Sequence, residues 1–218
     1  MSAVLNPKLK SEEIYYPESD GKPMAETDVH RTQMYYLIEA LKIYFQSRQD
    51  VYISGNLMFY YEEGNSHKSF SPDVMVCFGI SGEVRRIYKL WEEKQFPQVV
   101  FEISSRKTWG EDLNKKWFLY QQFGVKEYYI FDPEYDYLPE PLIAYRLKRG
   151  ELKQTSIKNN RIFSPELNLE IVDTGEGLRL FNPGTKEFLQ TLAEEHEARL
   201  AAEAENKRLR EEIKRLQS

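Results

Sequence analysis

Two carboxylates stand where apolar strands should be. Glu102 interrupts the run Val99-Val100-Phe101-Glu102-Ile103, and Asp73, after Pro72, opens Val74-Met75-Val76-Cys77-Phe78. A carboxylate inside a hydrophobic strand loses its hydration at a cost of several kcal/mol unless it is paired, protonated or bound to a cation. The fold must therefore carry a compensating group to these strands. Strand alternation puts Val100, Glu102 and Ser104 on one face and Val99, Phe101 and Ile103 on the other, which is the core face.

The stretch that follows supplies a partner. Asp112, Lys116 and Tyr120 are spaced i, i+4, i+8 and so share one helical face, with Leu113 and Trp117 beside them for packing. If that face looks onto Glu102, then two acids, a lysine and the backbone carbonyl of Ile103 converge. Two readings of this group stand side by side. One is a Mg²⁺ site, built from a few hard oxygen ligands with positions left open for phosphate and water. In it the lysine orients or helps deprotonate the attacking water, or stabilises charge on the phosphorus centre. The other is a buried Glu102–Lys116 ion pair that only ties helix to strand.

Around these runs the chain alternates in type. Residues 1–25, with Pro7, Pro17, Gly21 and Pro23, predict an irregular amino-terminal arm. Met34, Leu37, Ile38, Leu41, Tyr44 and Phe45 predict an amphipathic helix over 30–45, capped by Thr27 or Asp28. Strands are expected over 51–61, 73–78 and 98–104, then a helix over 112–123 closed by Gly124, then a strand over Glu127–Phe131 stopped by Asp132-Pro133. Further short strands follow at 142–147 and 151–157. The expected fold is α/β (α+β), with an αβββαβ core in one domain spanning 26–186 and extra strands after it.

From Glu187 to Ser218 there is no Gly or Pro, and Ala, Glu, Lys, Arg and Leu dominate, the composition of a charged helix. Ile213 and Asn206 at heptad position a, with Ala202, Leu209 and Leu216 at d, and Glu205 facing Arg210 of a partner, fit a short parallel two-stranded coiled coil. Only about two heptads are well formed, so a lone solvated helix fits equally. A homodimer is the expectation from the first reading.

Charge bears on the partner. The net −5 comes from six acids against three bases in residues 1–30 and eight against six in 187–218; the body between them has 21 of each. A neutral body leaves room for a local basic patch, and Arg106, Lys107 and Lys115 lie close in sequence to the two strand acids, with Arg85, Arg86 and Lys89 before them. A single cysteine, Cys77, excludes an internal disulfide, and no Cys/His spacing suits zinc. With no signal-like start at Met1 and no apolar stretch of about 20 residues, the chain is expected to be cytoplasmic, with no membrane contact and no organic cofactor.

Taken in order, Pro72-Asp73, Phe101-Glu102-Ile103-Ser104-Ser105, Asp112, Lys116, Tyr120, Gly124-Val125-Lys126-Glu127-Tyr128-Tyr129 and Phe131-Asp132-Pro133 resemble the Uma-two family, a branch of the PD-(D/E)xK restriction-endonuclease-like superfamily. The stretch from Asp20 to His30 resembles one branch's amino-terminal signature, and Leu178-Arg179-Leu180 its closing segment; the resemblance covers about residues 12–190. It implies a restriction-endonuclease-like mixed sheet flanked by helices, and Mg²⁺-dependent (or Mn²⁺-dependent) hydrolysis of DNA phosphodiester bonds, with Asp73, Glu102 and the Ile103 carbonyl on the metal. Glu26 and His30 are implied at the metal edge, with Ser104 as a supporting residue; Asp112 reads either as a helix-start residue or as a support that holds Lys116, and Tyr120 as a packing residue in preference to one that positions a phosphate. His30 reads equally as a helix-terminal residue satisfied by an acid. One departure matters: where the superfamily has Glu-x-Lys, this chain has Glu102-Ile103-Ser104. Either Lys116 supplies the amine from the helix, or catalysis is weakened or lost and the chain is an inactive nuclease-fold module that binds a partner or dimerises through its tail.

Overall fold

The computed structural model describes residues 14–19, 21 and 26–217; most of the expected arm, including much of the stretch from Asp20 to Ala25, lies outside the described residues. Helix α1 (Asp28–Tyr44) begins where Thr27 Oγ1 accepts from the His30 amide at 3.3 Å, a serviceable N-cap for an otherwise unsatisfied donor. Its Met34, Leu37, Ile38 and Leu41 face the sheet, the i, i+3, i+4, i+7 stripe of the sequence made physical.

The main sheet has six strands in the order β1 (Val51–Ser54), β4 (Val74–Phe78), β6 (Val99–Ile103), β7 (Glu127–Phe131), β8 (Leu142–Lys148) and β9 (Glu151–Gln154). Only the β6–β7 pair is parallel, which makes the sheet mixed. A helical segment crosses between those two strands, as a parallel connection requires. It runs as α3 (Trp109–Glu111), a π-helical turn (Asp112–Lys116) and α4 (Trp117–Gln122).

Both faces of β6 are buried, not one. Val99, Phe101 and Ile103 pack under α1, while Val100 packs with Met75, Tyr120 and Tyr128 on the opposite side. Strands covered on both faces read as continuous apolar runs, and so the face carrying Glu102 is a second core. That second face is completed by a small sheet of β2 (Phe59–Tyr60), β3 (Ser69–Phe70) and β5 (Tyr88–Lys89), followed by the one-turn α2 (Leu90–Glu93).

The single strand expected over 51–61 is in fact two strands in different sheets. Asn56, at φ 52°, breaks it, and a Cβ on Gly55 would lie 1.9 Å from the Asp73 carbonyl oxygen. Close approach of two backbones at this point turns the chain from one sheet to the other.

The strands expected after the core extend further than the sequence suggested. β10 (Arg161–Ser164), β11 (Leu169–Asp173), β12 (Leu178–Asn182) and β13 (Glu187–Phe188) make a four-stranded antiparallel sheet. Gln33 of α1 pins it, donating to the Leu178 carbonyl at 2.8 Å and accepting from the Leu178 amide at 2.9 Å. Glu187 and Phe188 therefore belong to this sheet, and the terminal helix α5 (Leu192–Leu216) starts at Thr191, which forms a reciprocal capping box with Glu194. No described residue of α5 is buried. Among the described residues no helix is long and apolar enough to cross a membrane.

Candidate active site

The antiparallel register of β4 on β6 opposes Val74 to Phe101, which brings the residue before β4 level with Glu102. Asp73 and Glu102 are thereby tied together: the Asp73 amide donates to Glu102 Oε2 at 3.4 Å, and the Ile103 amide donates to Asp73 Oδ2 at 2.7 Å. Glu102 is fully buried. Lys116 Nζ donates to its Oε2 at 2.7 Å and the Tyr120 hydroxyl to its Oε1 at 2.5 Å. The same ammonium lies 2.9 Å from Asp112 Oδ1, and the Ser104 hydroxyl donates to Asp112 Oδ2 at 3.0 Å.

The helix presents these groups through its π-helical turn, whose ends are Asp112 and Lys116. Such turns occur mostly as single insertions and often at functional sites. Tyr128 on β7 fixes the start of the turn by donating its hydroxyl to the Asp112 carbonyl at 3.0 Å. Periodicity pointed to the shared face of Asp112, Lys116 and Tyr120 but contained no signal for the wider turn.

His30, in the first turn of α1, reaches the other side of Asp73. Its Nε2 is 3.4 Å from Asp73 Oδ2 and its Nδ1 is 3.3 Å from Glu26 Oε2. Asn56 then donates to Glu26 Oε1 at 3.4 Å, so the break in the first strand also contributes to the site. Asn56 was not singled out by the sequence; the Gly55-Asn56 pair inside a strand-like run was its signal.

Two buried carboxylates, Glu102 and Asp112, thus share one lysine, with Asp73 beside them and His30 and Glu26 at the margin. The surplus of acid governs the protonation of the group. Burial, reinforced by Asp73 and Asp112, raises the Glu102 carboxyl well above its usual range even against Lys116. Burial likewise raises Asp112. Burial alone would lower Lys116, but the three carboxylates outweigh it and hold the ammonium charged well above its usual range. Burial also opposes charge on His30, and contact with Asp73 and Glu26 more than compensates, so its imidazole is raised. Asp73 is lowered, because His30 and Lys116 exceed the effect of its burial.

The donor set suits a hard divalent cation: carboxylate oxygens in excess of protein cations, and no thiolate. Among the described residues no group of three or more His, Cys, Asp or Glu side chains forms a metal cage. Mg²⁺ does not ask for one, since it is commonly bound through one or two carboxylates, with water and phosphate completing its shell.

The basic candidates separate. Lys115 pairs with Glu111 at 2.8 Å and lines a cavity beside Lys116. Arg106, on the loop after β6, is exposed and 3.7 Å from Asp136; Lys107 beside it is also exposed, and neither lines that cavity. Arg85 is withdrawn from any phosphate role by two bonds to Glu93, at 2.5 and 2.8 Å, beneath the Tyr52 ring. Arg86 pairs with Glu18 and Lys89 with Glu92.

The Uma2 family, described as "Putative restriction endonuclease", matches residues 8–175. The chain belongs to the Uma2 family. That span holds Asp73, Glu102, Asp112, Lys116 and Tyr120, so the clustered residues are part of the Uma2 region. The chain is also similar to a solved structure described as a putative nuclease belonging to DUF820 from Anabaena variabilis ATCC 29413, at 15% identity and a TM-score of 0.49, covering 67% of this chain and 76% of that one. A search of curated proteins found no match.

Proposed function

We propose that this Uma2-family chain is a metal-dependent endonuclease that hydrolyses DNA phosphodiester bonds. The observation that carries the reading is the position of Lys116: its ammonium lies within 3 Å of both Glu102 and Asp112, and its side chain, 14% exposed, lines a cavity. Asp73, Glu102 and the Ile103 carbonyl would hold Mg²⁺, or Mn²⁺. The ion when bound supplies Lewis-acid polarisation of the phosphate and lowers the pKa of water. Lys116 takes the place of the lysine that Ser104 replaces on the strand, donating to a water or a phosphate oxygen as charge develops at phosphorus. Asp112 and Ser104 hold Lys116 in place, and Tyr120 fixes the Glu102 carboxylate from the other side. Glu26 and His30 orient Asp73.

One observation favours a second reading. Both oxygens of Glu102 already accept from Tyr120 and Lys116, an arrangement sufficient for a structural ion pair. In that case the chain is an inactive nuclease-fold module that acts through a partner or through α5.

The deciding experiment incubates the purified protein with supercoiled plasmid and with single-stranded DNA, in Mg²⁺ or Mn²⁺, beside Asp73→Asn and Glu102→Gln. The expected result is nicking that either substitution reduces by about 10²-fold or more. Mg²⁺ should also raise the melting temperature of the wild type and not of Asp73→Asn. No nicking of any substrate, or equal nicking by the variants, overturns the enzyme reading in favour of the second.

A further inference from the structure

The cavity beside Lys116 has a volume of about 620 Å³ and is built by an element that the nuclease reading leaves without a role. One wall is the hairpin of β2 and β3 with its turn, contributing Ser66, Ser69 and Ser71, together with Asn56 at the strand break. The opposite wall is the helical segment, with Lys115 and Lys116. Met58, Tyr60 and Phe70 add an apolar lining. The two acids at the rim are already matched, Glu18 by Arg86 at 2.7 Å and Glu111 by Lys115 at 2.8 Å.

Chemistry and size point the same way. The hydroxyls of Ser66 and Ser69 on the hairpin both donate and accept, as the edge of a nucleobase requires. On the far wall Lys115, whose ion pair with Glu111 is exposed, and Lys116 suit a phosphate. A volume in the ~300–1,000 Å³ range suits a single small-molecule-sized group. It cannot admit a duplex, whose major groove alone is about 12 Å wide. Glu102 and Asp112 are sealed from solvent, whereas the Lys116 side chain lines this space, so a phosphate held in the cavity lies beside that lysine.

We propose that the cavity receives one unpaired nucleotide of the strand to be cut, with its phosphate toward Lys115 and Lys116 and its base against the hairpin hydroxyls of Ser66 and Ser69. The substrate class is therefore single-stranded or locally unpaired DNA. This rests on the nuclease reading above for the cut, but not for the binding.

The test measures binding in metal-free buffer by fluorescence anisotropy. One labelled oligonucleotide is presented as a single strand, as a blunt duplex and as a duplex with one bulged nucleotide. Wild-type protein should bind the single strand and the bulged duplex about tenfold or more tighter than the blunt duplex. Ser66→Trp, which fills the cavity from the hairpin turn, should remove that preference, and so should Ser69→Phe, with melting curves confirming that each folds. Equal wild-type affinity for single strand and blunt duplex overturns the proposal, whatever the variants do. So does an unchanged preference in a folded Ser66→Trp or Ser69→Phe chain. The same substrates are then incubated with Mg²⁺ or Mn²⁺. Equal cleavage of single strand and duplex overturns the cavity proposal and leaves the nuclease reading standing. Selective binding without cleavage does the reverse.

Discussion

Replacing Lys116 by Met keeps most of the side-chain volume and removes the lysine shared by Glu102 and Asp112. In the wild type the ammonium lies 2.7 Å from one carboxylate and 2.9 Å from the other, its side chain is 14% exposed, and the carboxylates are 0% and 1% exposed. Breaking a buried pair by deleting one partner costs about 3–5 kcal/mol, because the remaining charge is left uncompensated. For a domain of this size that corresponds to a fall in melting temperature of ~6–20 °C.

The loss should depend on pH with a definite sign. Without Lys116, the folded chain retains on Glu102 a proton that the unfolded chain releases above its ordinary value of 4.5. The folded state then binds more protons, so the variant's stability falls as pH rises above that value, by ~1.4 kcal/mol per pH unit for each such proton. Urea titrations of wild type and Lys116→Met from pH 5 to 9 measure this directly. Adding Glu102→Gln to Lys116→Met should recover part of the loss at pH 8, where an amide can replace the ion pair without a buried charge. A Lys116→Met chain as stable as wild type and flat in pH would refute the buried charge surplus on which the site reading depends.

Other expectations follow from single contacts. Gly55→Ala should lower stability by about 1–3 kcal/mol in chemical denaturation, since its Cβ would meet the Asp73 carbonyl oxygen at 1.9 Å and Ile38 Cδ1 at 2.8 Å; because Asp73 moves with it, any nuclease activity should fall too. Burial pushes the Cys77 thiol up to about 12. Native protein at pH 8 should therefore resist a thiol reagent that reacts at once in denaturant, and prompt native labelling would contradict the packing of β4. Helix α5 leaves Leu209, Ile213 and Leu216 exposed, the side chains that occupy one heptad seam. Light scattering should show a dimer for the full chain and a monomer after truncation at Leu192; an unchanged mass assigns α5 to some other role.

Local features were legible in the residues themselves. The apolar stripe of α1, the apolar runs of β4, β6 and β7, the Gly124 stop and the charged composition of α5 depend on neighbours within a turn or a few residues, and periodicity records those. The shared face of Asp112, Lys116 and Tyr120 was legible for the same reason. The π-helical turn was not, since its cause lies in contacts such as the Tyr128 hydroxyl on the Asp112 carbonyl, made by a residue on another strand. The Gly55-Asn56 pair is a local mark of the split, but the reason for the split is the Asp73 backbone, distant in sequence and touching in space.

The two strand acids mark the boundary between these levels. Sequence alone determined that Asp73 and Glu102 sit in apolar runs and so need compensation. It left open whether that compensation is one lysine or a cation. Tertiary structure decided that two buried carboxylates meet at a single ammonium with Asp73 beside them, so that acids outnumber the lysine, and that a polar cavity adjoins Lys116. Strand register and the crossover between β6 and β7 set both results. They join residues separated by long stretches of chain, and no local pattern of side chains encodes such distances.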